Sequence, residues 1–147
     1  MKSAIHTMRR MSLRDWVGIG QAYYFLARAG WMMFVRKQRL DRWIGTKPSD
    51  FSSGHLSEHG LPIERRRAWW IEVAAARPRP WAMCLQRSLA LCLWMQQQGY
   101  DPKIRIGVRR DNPSLDAHAW VEYAGVILND DPNLGQLYAA MRSRNNA

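Results

Sequence analysis

The hydrophobic period of this chain changes once, near residue 100, and this change limits the folds that the chain can adopt. Before it, apolar residues recur at helical spacing in three stretches, 13–38, 63–76 and about 81–98, which predicts three helices. Pro62 suits the first turn of the second helix, and Gly99 suits the end of the third. The first two thirds of the chain are therefore expected to be mainly helical.

The sequence after residue 100 predicts an antiparallel sheet. From residue 103, apolar residues occupy every second position up to Val108, which is the period of a strand. Two more strands are expected at 117–122 and 126–130, followed by a short helix at 134–142. Helices first and strands second indicate an α+β fold.

The length of 147 residues suits a single domain, 1–147, with one hydrophobic core. We expect three parts within it. These are an N-terminal helical part at 1–44, a loop rich in glycine, proline and serine at 45–62, and a core at 63–147.

The charge and the cysteine content bear on the partner and the compartment. The formal net charge is +10 and the isoelectric point is about 10.4, which favours an acidic partner: nucleic acid, an anionic membrane surface or an acidic peptide. The chain has two cysteines and no evident signal peptide. We therefore expect reduced thiols and a cytoplasmic location.

The apolar stretch 16–35 is about long enough to cross a membrane, but it contains Gln21 and Arg28. A central arginine costs roughly 2.5–3.5 kcal/mol on insertion scales. A mostly buried helix of a soluble domain is therefore expected, and a peripheral membrane contact stays open. Most of the aromatic residues of this helix are expected in the core: Trp16, Tyr23, Tyr24 and Trp31.

Cys84 is the candidate nucleophile. It lies where the first turn of the third helix should be, and the N–H groups of a first turn have no partners within the helix. Such groups can stabilise a thiolate, the reactive form of cysteine, and the oxyanion of an acyl-transfer intermediate. A lone cysteine is more often a small buried hydrophobic residue, and Cys92, in mid-helix on the apolar side, is assigned to that role.

His118 is the candidate base, and Asp130 is its candidate orienting partner. Residues 123–125 are expected to form a three-residue hairpin loop with its glycine in the left-handed region. This register puts His118 opposite Asp130, with roughly 4.5–5.5 Å between the Cβ atoms. The carboxylate can then hold one imidazole nitrogen and leave the other for a thiol. A two-residue loop would instead put Asp131 opposite His118.

The remaining candidates receive structural roles. A His–Asp pair on neighbouring strands is by itself more often structural than catalytic, Trp120 is expected in the core, and Glu122 is expected to be a surface charge. Structural zinc requires four ligands, mostly Cys and His at tight spacing, and that spacing is absent, so no metal or other cofactor is predicted. The other histidines are expected to be solvated: His6, His55 and His59.

Four segments of the sequence together resemble the lasso-peptide leader peptidases, the protease part of the lasso-peptide biosynthesis B proteins. They are LARAGW at 26–31, CLQRSLAL at 84–91, IRIGV at 104–108 and AHAWVEYAGVILND at 117–130. Those peptidases are transglutaminase-like cysteine hydrolases, a branch of the papain-like plan. The resemblance implies that Cys84, His118 and Asp130 form a triad, with the cysteine at a helix start packed on a small antiparallel sheet.

The resemblance also implies a reaction and a partner. Such peptidases cut a ribosomally made precursor between leader and core peptide, and a separate lasso cyclase uses the freed core amine. In many members a small domain, fused or separate, binds the leader. Because the first 80 residues predict helices and a loop, we expect the split type, which needs a separate leader-recognition protein and can also meet the cyclase.

One departure from papain concerns the oxyanion hole. Pro78 stands six residues before Cys84, where a glutamine would supply a donor. The hole would then use the backbone N–H of Cys84, with the Trp81 indole as a weak candidate for the second donor.

Two other functions stay open on the sequence. The same triad serves other acyl transferases and amidases, and a basic adaptor for nucleic acid or membrane would also explain the charge. Selective labelling of Cys84 near neutral pH would favour an enzyme, and salt-sensitive nucleic-acid binding without labelling would favour the adaptor. Nucleic acid is the less favoured partner. The basic residues concerned are Arg65, Arg66, Arg67, Arg77, Arg79, Arg109 and Arg110.

Overall fold

The computed structural model describes five stretches of the chain, and their helices and strands follow the predicted order. The described residues are 11–35, 62–76, 83–109, 117–130 and 138–140. The helices are α1 (Leu13–Val35), α2 (Pro62–Ala75) and α3 (Cys84–Gln97), and the strands are β1 (Lys103–Arg109), β2 (Ala117–Tyr123), β3 (Val126–Ile127) and β4 (Tyr138–Ala140). The three predicted helices and the first two strands are confirmed, and the third strand is shorter than predicted.

Some expectations concern residues outside these stretches. They are those for the loop up to residue 61, for Arg77, Pro78, Arg79, Trp81, Arg110 and Asp131, and for His6, His55 and His59.

The four strands form one antiparallel sheet in the order β3-β2-β1-β4, so the predicted α+β class is confirmed. The ladder between β1 and β2 runs from Lys103 opposite Glu122 to Val108 opposite Ala117. β4 pairs with the other edge of β1. The prediction of a helix at 134–142 was therefore wrong at residues 138–140, which form β4. The edge of β1 offers N–H and C=O groups that a strand can pair with and a helix cannot.

Helix α3 contacts both of the other helices and the sheet. Its residues from Ser88 to Met95 are all buried. Phe25 stacks on Trp94 with ring centroids 5.2 Å apart, and Trp70 stacks on the same ring at 5.8 Å. These three rings join the helices into one core, and the buried Ile104, Ala119 and Val121 of the sheet belong to it.

Small residues let α1 approach its neighbours closely. A Cβ atom at Gly18 would lie 2.3 Å from the indole of Trp70, so a larger residue there would displace that ring. Ala22 and Ala29, on the same face, are fully buried. The contact face of α1 thus combines these small residues with the buried ring of Phe25.

The opposite face of α1 is also apolar but exposed, which corrects a prediction. Trp16, Tyr24 and Trp31 are 56%, 59% and 70% exposed, although most aromatic residues of this helix were expected in the core. A helix that is apolar on two sides gives the same periodic signal from either side, and only packing selects the buried one. In the part of the chain that the structure describes, no helix is long and apolar enough to cross a membrane.

Asp15 fixes the start of α1 to α2. Its Oδ2 accepts hydrogen bonds from the backbone N–H and the hydroxyl of Ser12, at 3.1 and 2.9 Å. The first of these is the acidic half of a capping box, with an aspartate in the acidic position. Its Oδ1 accepts two bonds from the Arg66 guanidinium, the shorter at 2.7 Å, and one from the Trp70 indole at 3.1 Å. One buried carboxylate therefore caps one helix and docks a second.

Candidate active site

Cys84 is the first residue of α3 and carries a half-buried, free thiol. The preceding residue, Met83, is extended (φ −71°, ψ 161°) and makes no side-chain capping hydrogen bond. Among the described residues, no side chain caps the N–H groups of this first turn. Such groups at a helix start can stabilise an anion, either a thiolate or an oxyanion.

Cys92 has the opposite environment. Its side chain is fully buried. Burial raises the pKa of its thiol well above the ordinary value, and the nearby charges of Lys103 and Asp101 act in opposite directions. Its burial confirms the prediction that Cys92 is a core residue, and a thiol with a raised pKa is a poor nucleophile.

The hairpin between β2 and β3 has a two-residue loop, so the predicted three-residue loop was wrong. Tyr123 pairs with Val126 and Glu122 with Ile127. Ala124 and Gly125 both have positive φ, 51° and 78°, as in the tight turns whose twist matches a two-stranded ribbon. An alanine rarely adopts this conformation, which is why the sequence favoured the longer loop.

His118 and Asp130 are nevertheless in direct contact, through Nε2 of the imidazole and Oδ2 of the carboxylate. Their side chains are 28% and 32% exposed. The contact was predicted from the wrong register, and it forms because the chain leaves the ladder after β3. Leu128 still donates to the Val121 carbonyl at 3.0 Å, and then the side-chain oxygen of Asn129 accepts the Val121 N–H at 2.8 Å in place of a backbone carbonyl.

Ser88 and Asn129 hold this region together, and sequence analysis did not identify either. The Ser88 hydroxyl, fully buried, donates to the carbonyl of Ala119 at 3.1 Å. Asn129 Nδ2 lies 3.2 Å from the same hydroxyl and donates to it. One serine therefore contacts the residue after His118 and the residue before Asp130. The available signal was a serine inside an apolar helix face, one turn after Cys84.

Helix α3 packs on β2, and its first half contacts the part of that strand that carries His118. The charge of Lys103, which pairs with the end of β2, acts on Cys92 in the second half of α3. Ser88, nearer the helix start, bonds the residue that follows His118. Cys84 precedes Ser88 by one turn, about 6 Å along the helix.

Two neighbours of the pair extend the polar network along β2. Trp120 is buried as predicted, and its ring stacks beside the His118 imidazole at 6.3 Å between centroids. The Trp120 indole donates to Glu122 at 2.8 Å, and Glu122 also accepts from Arg105 at 3.4 Å. Glu122 was expected to be a surface charge, and this was wrong, because its side chain is only 14% exposed and paired on two sides.

Gln86 does not take the place of the missing oxyanion glutamine. Its amide donates to the Leu26 carbonyl at 3.0 Å and fits against Gly30, so it joins α3 to α1. Among the described residues, no group of three or more His, Cys, Asp or Glu side chains is arranged to hold a metal ion.

Comparison with known families gives one match. The sequence model of the Transglutaminase-like superfamily matches residues 22–143, a range that includes Cys84, His118 and Asp130. No curated protein and no solved structure matches the chain. The superfamily points to cysteine protease or acyltransferase chemistry. Because the match covers most of the sequence, and the fold agrees with it, the chain belongs to the Transglutaminase-like superfamily.

Proposed function

We propose that this protein is a cysteine peptidase that removes the leader from a ribosomally made lasso-peptide precursor through a thioester intermediate. The observation that carries the proposal is the contact between His118 and Asp130, tied through Ser88 to the helix that begins with Cys84. The superfamily supports the thiol chemistry, and the four segments that resemble the leader peptidases support the substrate.

The proposed reaction uses each triad residue at a defined atom. Asp130 engages Nε2 of His118, and so Nδ1 is the nitrogen assigned to proton exchange with the Cys84 thiol. The sulfur attacks the scissile carbonyl carbon, and the N–H groups at the start of α3 stabilise the oxyanion. His118 then gives the proton to the leaving amine of the core peptide. A water molecule, deprotonated by His118, hydrolyses the thioester and releases the leader acid.

A separate leader-recognition protein is part of this proposal. The chain provides the nucleophile, and the resemblance implies that recognition of the leader is shared with a partner. The exposed aromatic face of α1, with Trp16, Tyr24 and Trp31, offers a docking surface for it.

The test is cleavage of candidate precursors, read by mass spectrometry, with and without the partner. We expect a cut between leader and core, slow with this chain alone. The partner should raise kcat/KM at least about tenfold, which corresponds to about 1.4 kcal/mol of transition-state stabilisation. Equal rates over a range of partner concentrations would contradict the partner, and an unchanged precursor in every mixture would contradict the peptidase.

The same assay separates hydrolysis from acyl transfer. Adding a primary amine and searching for an amide of the leader fragment tests for a transferase. We expect the free acid as the main product. Predominant amide formation at low amine concentration would assign the chain to the acyltransferases of its superfamily.

A further inference from the structure

A cleft lies at the other end of α3 from Cys84. It has a volume of about 550 Å³ and is bounded by the first half of α1, the first half of α2 and the end of α3. Trp94 of α3 lines it, ten residues and therefore about 15 Å along the helix from Cys84. Its size is that of a site for a small ligand or a few residues of a peptide.

The charged residues that line the cleft are all basic. Arg14, Arg66 and Arg67 line it, and no acidic residue is among the described side chains of its wall. The indoles of Trp70 and Trp94 supply flat apolar surface beside them. Guanidinium groups next to aromatic and aliphatic walls suit a ligand that is both anionic and partly apolar.

The three arginines differ in how far their charge is already balanced. Arg66 makes its short ion pair with Asp15. Arg14 is exposed at the rim. Arg67 is 14% exposed and stacks over Trp94, and its nearest carboxylate oxygen, on Glu64, is 3.9 Å from Nη1.

The Nη1 atom of Arg67 is buried and has no hydrogen-bond acceptor among the described residues. A buried guanidinium N–H without an acceptor is costly. Arg67 still adds positive charge to the wall of the cleft, and the exposed Arg14 at the rim would attract an incoming carboxylate.

We infer that this cleft binds an acidic segment of a peptide, with its carboxylates attracted by Arg14 and Arg67 and an apolar neighbour against the indoles. A narrow carboxylate side chain can enter a cleft of this size, whereas the backbone of a nucleic-acid duplex or a flat lipid surface would meet mainly Arg14 at its rim. The inference rests on the proposed function in one respect. The cleft lies far enough from Cys84 to hold part of a leader, or part of the protein that carries the leader, while the core peptide lies at the thiol.

Binding is tested first without catalysis, by fluorescence anisotropy with the full-length Cys84→Ala protein. The probe is a labelled ten-residue peptide of alternating glutamate and leucine, and its control has glutamine in place of glutamate. We expect the acidic peptide to bind at least tenfold more tightly than the control and to be weakened by salt. Equal binding of the two peptides would overturn the inference.

Variants locate the site. Arg14→Gln and Arg67→Gln should each weaken the acidic peptide at least about fivefold, and Arg28→Gln is the matched control, because Arg28 is an exposed arginine of α1 outside the cleft. Since Arg67 packs on Trp94, a thermal melt of each variant accompanies the titration, and Arg14→Gln carries the test if Arg67→Gln unfolds. Unchanged binding by Arg14→Gln would overturn the inference. It would also be overturned if the two cleft variants weakened a single-stranded oligonucleotide or anionic phosphatidylserine vesicles but not the peptide.

Cleavage assays with the wild-type thiol then identify the source of the acidic segment. If neutralising acidic residues of the leader lowers kcat/KM about tenfold in the wild type but not in Arg14→Gln, the leader supplies the segment. If Arg14→Gln matters only when the partner is present, the partner supplies it. If Arg14→Gln leaves kcat/KM unchanged both with and without the partner, the cleft has no part in cleavage and the inference fails. If the wild type binds the acidic peptide but cleaves no precursor, the proposed function is overturned and the inferred binding site in the cleft stands.

Discussion

Two carboxylates of this protein, Asp15 and Asp130, lie in contrasting surroundings, one suited to a structural role and the other to the proposed chemistry. Asp15 is only 4% exposed, and both of its oxygens accept hydrogen bonds. Asp130 has a side chain that is 32% exposed and touches the ring of His118. Asp15 joins α1 to α2, whereas Asp130 lies beside a group that can move a proton.

The difference has a physical basis in what surrounds each carboxylate. The hydrogen bond from Arg66, helped by those from Ser12 and Trp70, holds the pKa of Asp15 well below its usual range in spite of burial. A carboxylate held as an anion by fixed donors stabilises a helix start and cannot exchange protons near neutral pH. A partly exposed His–Asp pair can orient an imidazole and remain within reach of a substrate.

The largest expected effect comes from the thiols. Cys84→Ala should lower kcat/KM by at least about 10⁴-fold, because no other group can form the thioester, and Cys92→Ala should stay within a few-fold of the wild type. Cleavage rates of the two variants, measured beside their thermal melts, check this. If Cys92→Ala were the inactive variant while still folded, the assignment of the nucleophile would be wrong.

The next effect sharpens the role of Asp130. His118→Ala should be about as damaging as loss of the thiol, since base and nucleophile act as a unit, and Asp130→Asn should be less damaging because an orienting group leaves residual rate. Asp131→Asn should be mild. Steady-state kinetics of the three variants decide it, and an inactive Asp131→Asn beside an active Asp130→Asn would move the orienting role to Asp131.

A smaller effect is expected from Ser88, which positions the site without touching substrate. Ser88→Ala removes the bonds to Ala119 and Asn129 and should cost about 1–3 kcal/mol of unfolding free energy. It should also lower kcat about tenfold with little change in KM, because the start of α3 loses its fixed position relative to the pair. Ser88→Thr, which keeps the hydroxyl, is the control. A loss of stability with unchanged kcat would make Ser88 purely structural.

Asp15 should have the smallest effect on catalysis and a clear one on stability. Asp15→Asn should lower the Tm at neutral pH but leave the rate per folded molecule unchanged. Since the folded-state pKa of Asp15 is depressed, its stabilisation is fully present above the unfolded value of about 4 and is lost as the pH falls below it. The Tm gap between variant and wild type should therefore narrow toward about pH 3.

Asp101 supplies the control for that pH series. Its side chain is 73% exposed and pairs with Lys103 at the surface, so Asp101→Asn should change the Tm little at any pH. If the difference in Tm between Asp15→Asn and the wild type stays constant across the pH range, the charge of Asp15 is not what stabilises the pair of helices.

The local pattern of the sequence determined the helices, the first two strands and the position of Cys84 at a helix start. These features depend on residues within one or two turns of each other. The spacing of apolar residues and the residues that begin and end a helix indicate such local structure directly. The contact of His118 with Asp130 was also predicted, although the register used to derive it was wrong. The loop depended on an alanine at positive φ, which residue preference argues against.

Tertiary structure alone decided which side of α1 is buried, whether residues 138–140 form a strand, and which polar residues pair with each other. Asp15 meets Arg66 across 51 residues, and Asn129 meets Ser88 across 41. Neither contact produces a periodic pattern in the sequence. A hydrogen bond between distant residues depends on how whole elements pack, and packing selects among faces and edges that look alike in the sequence.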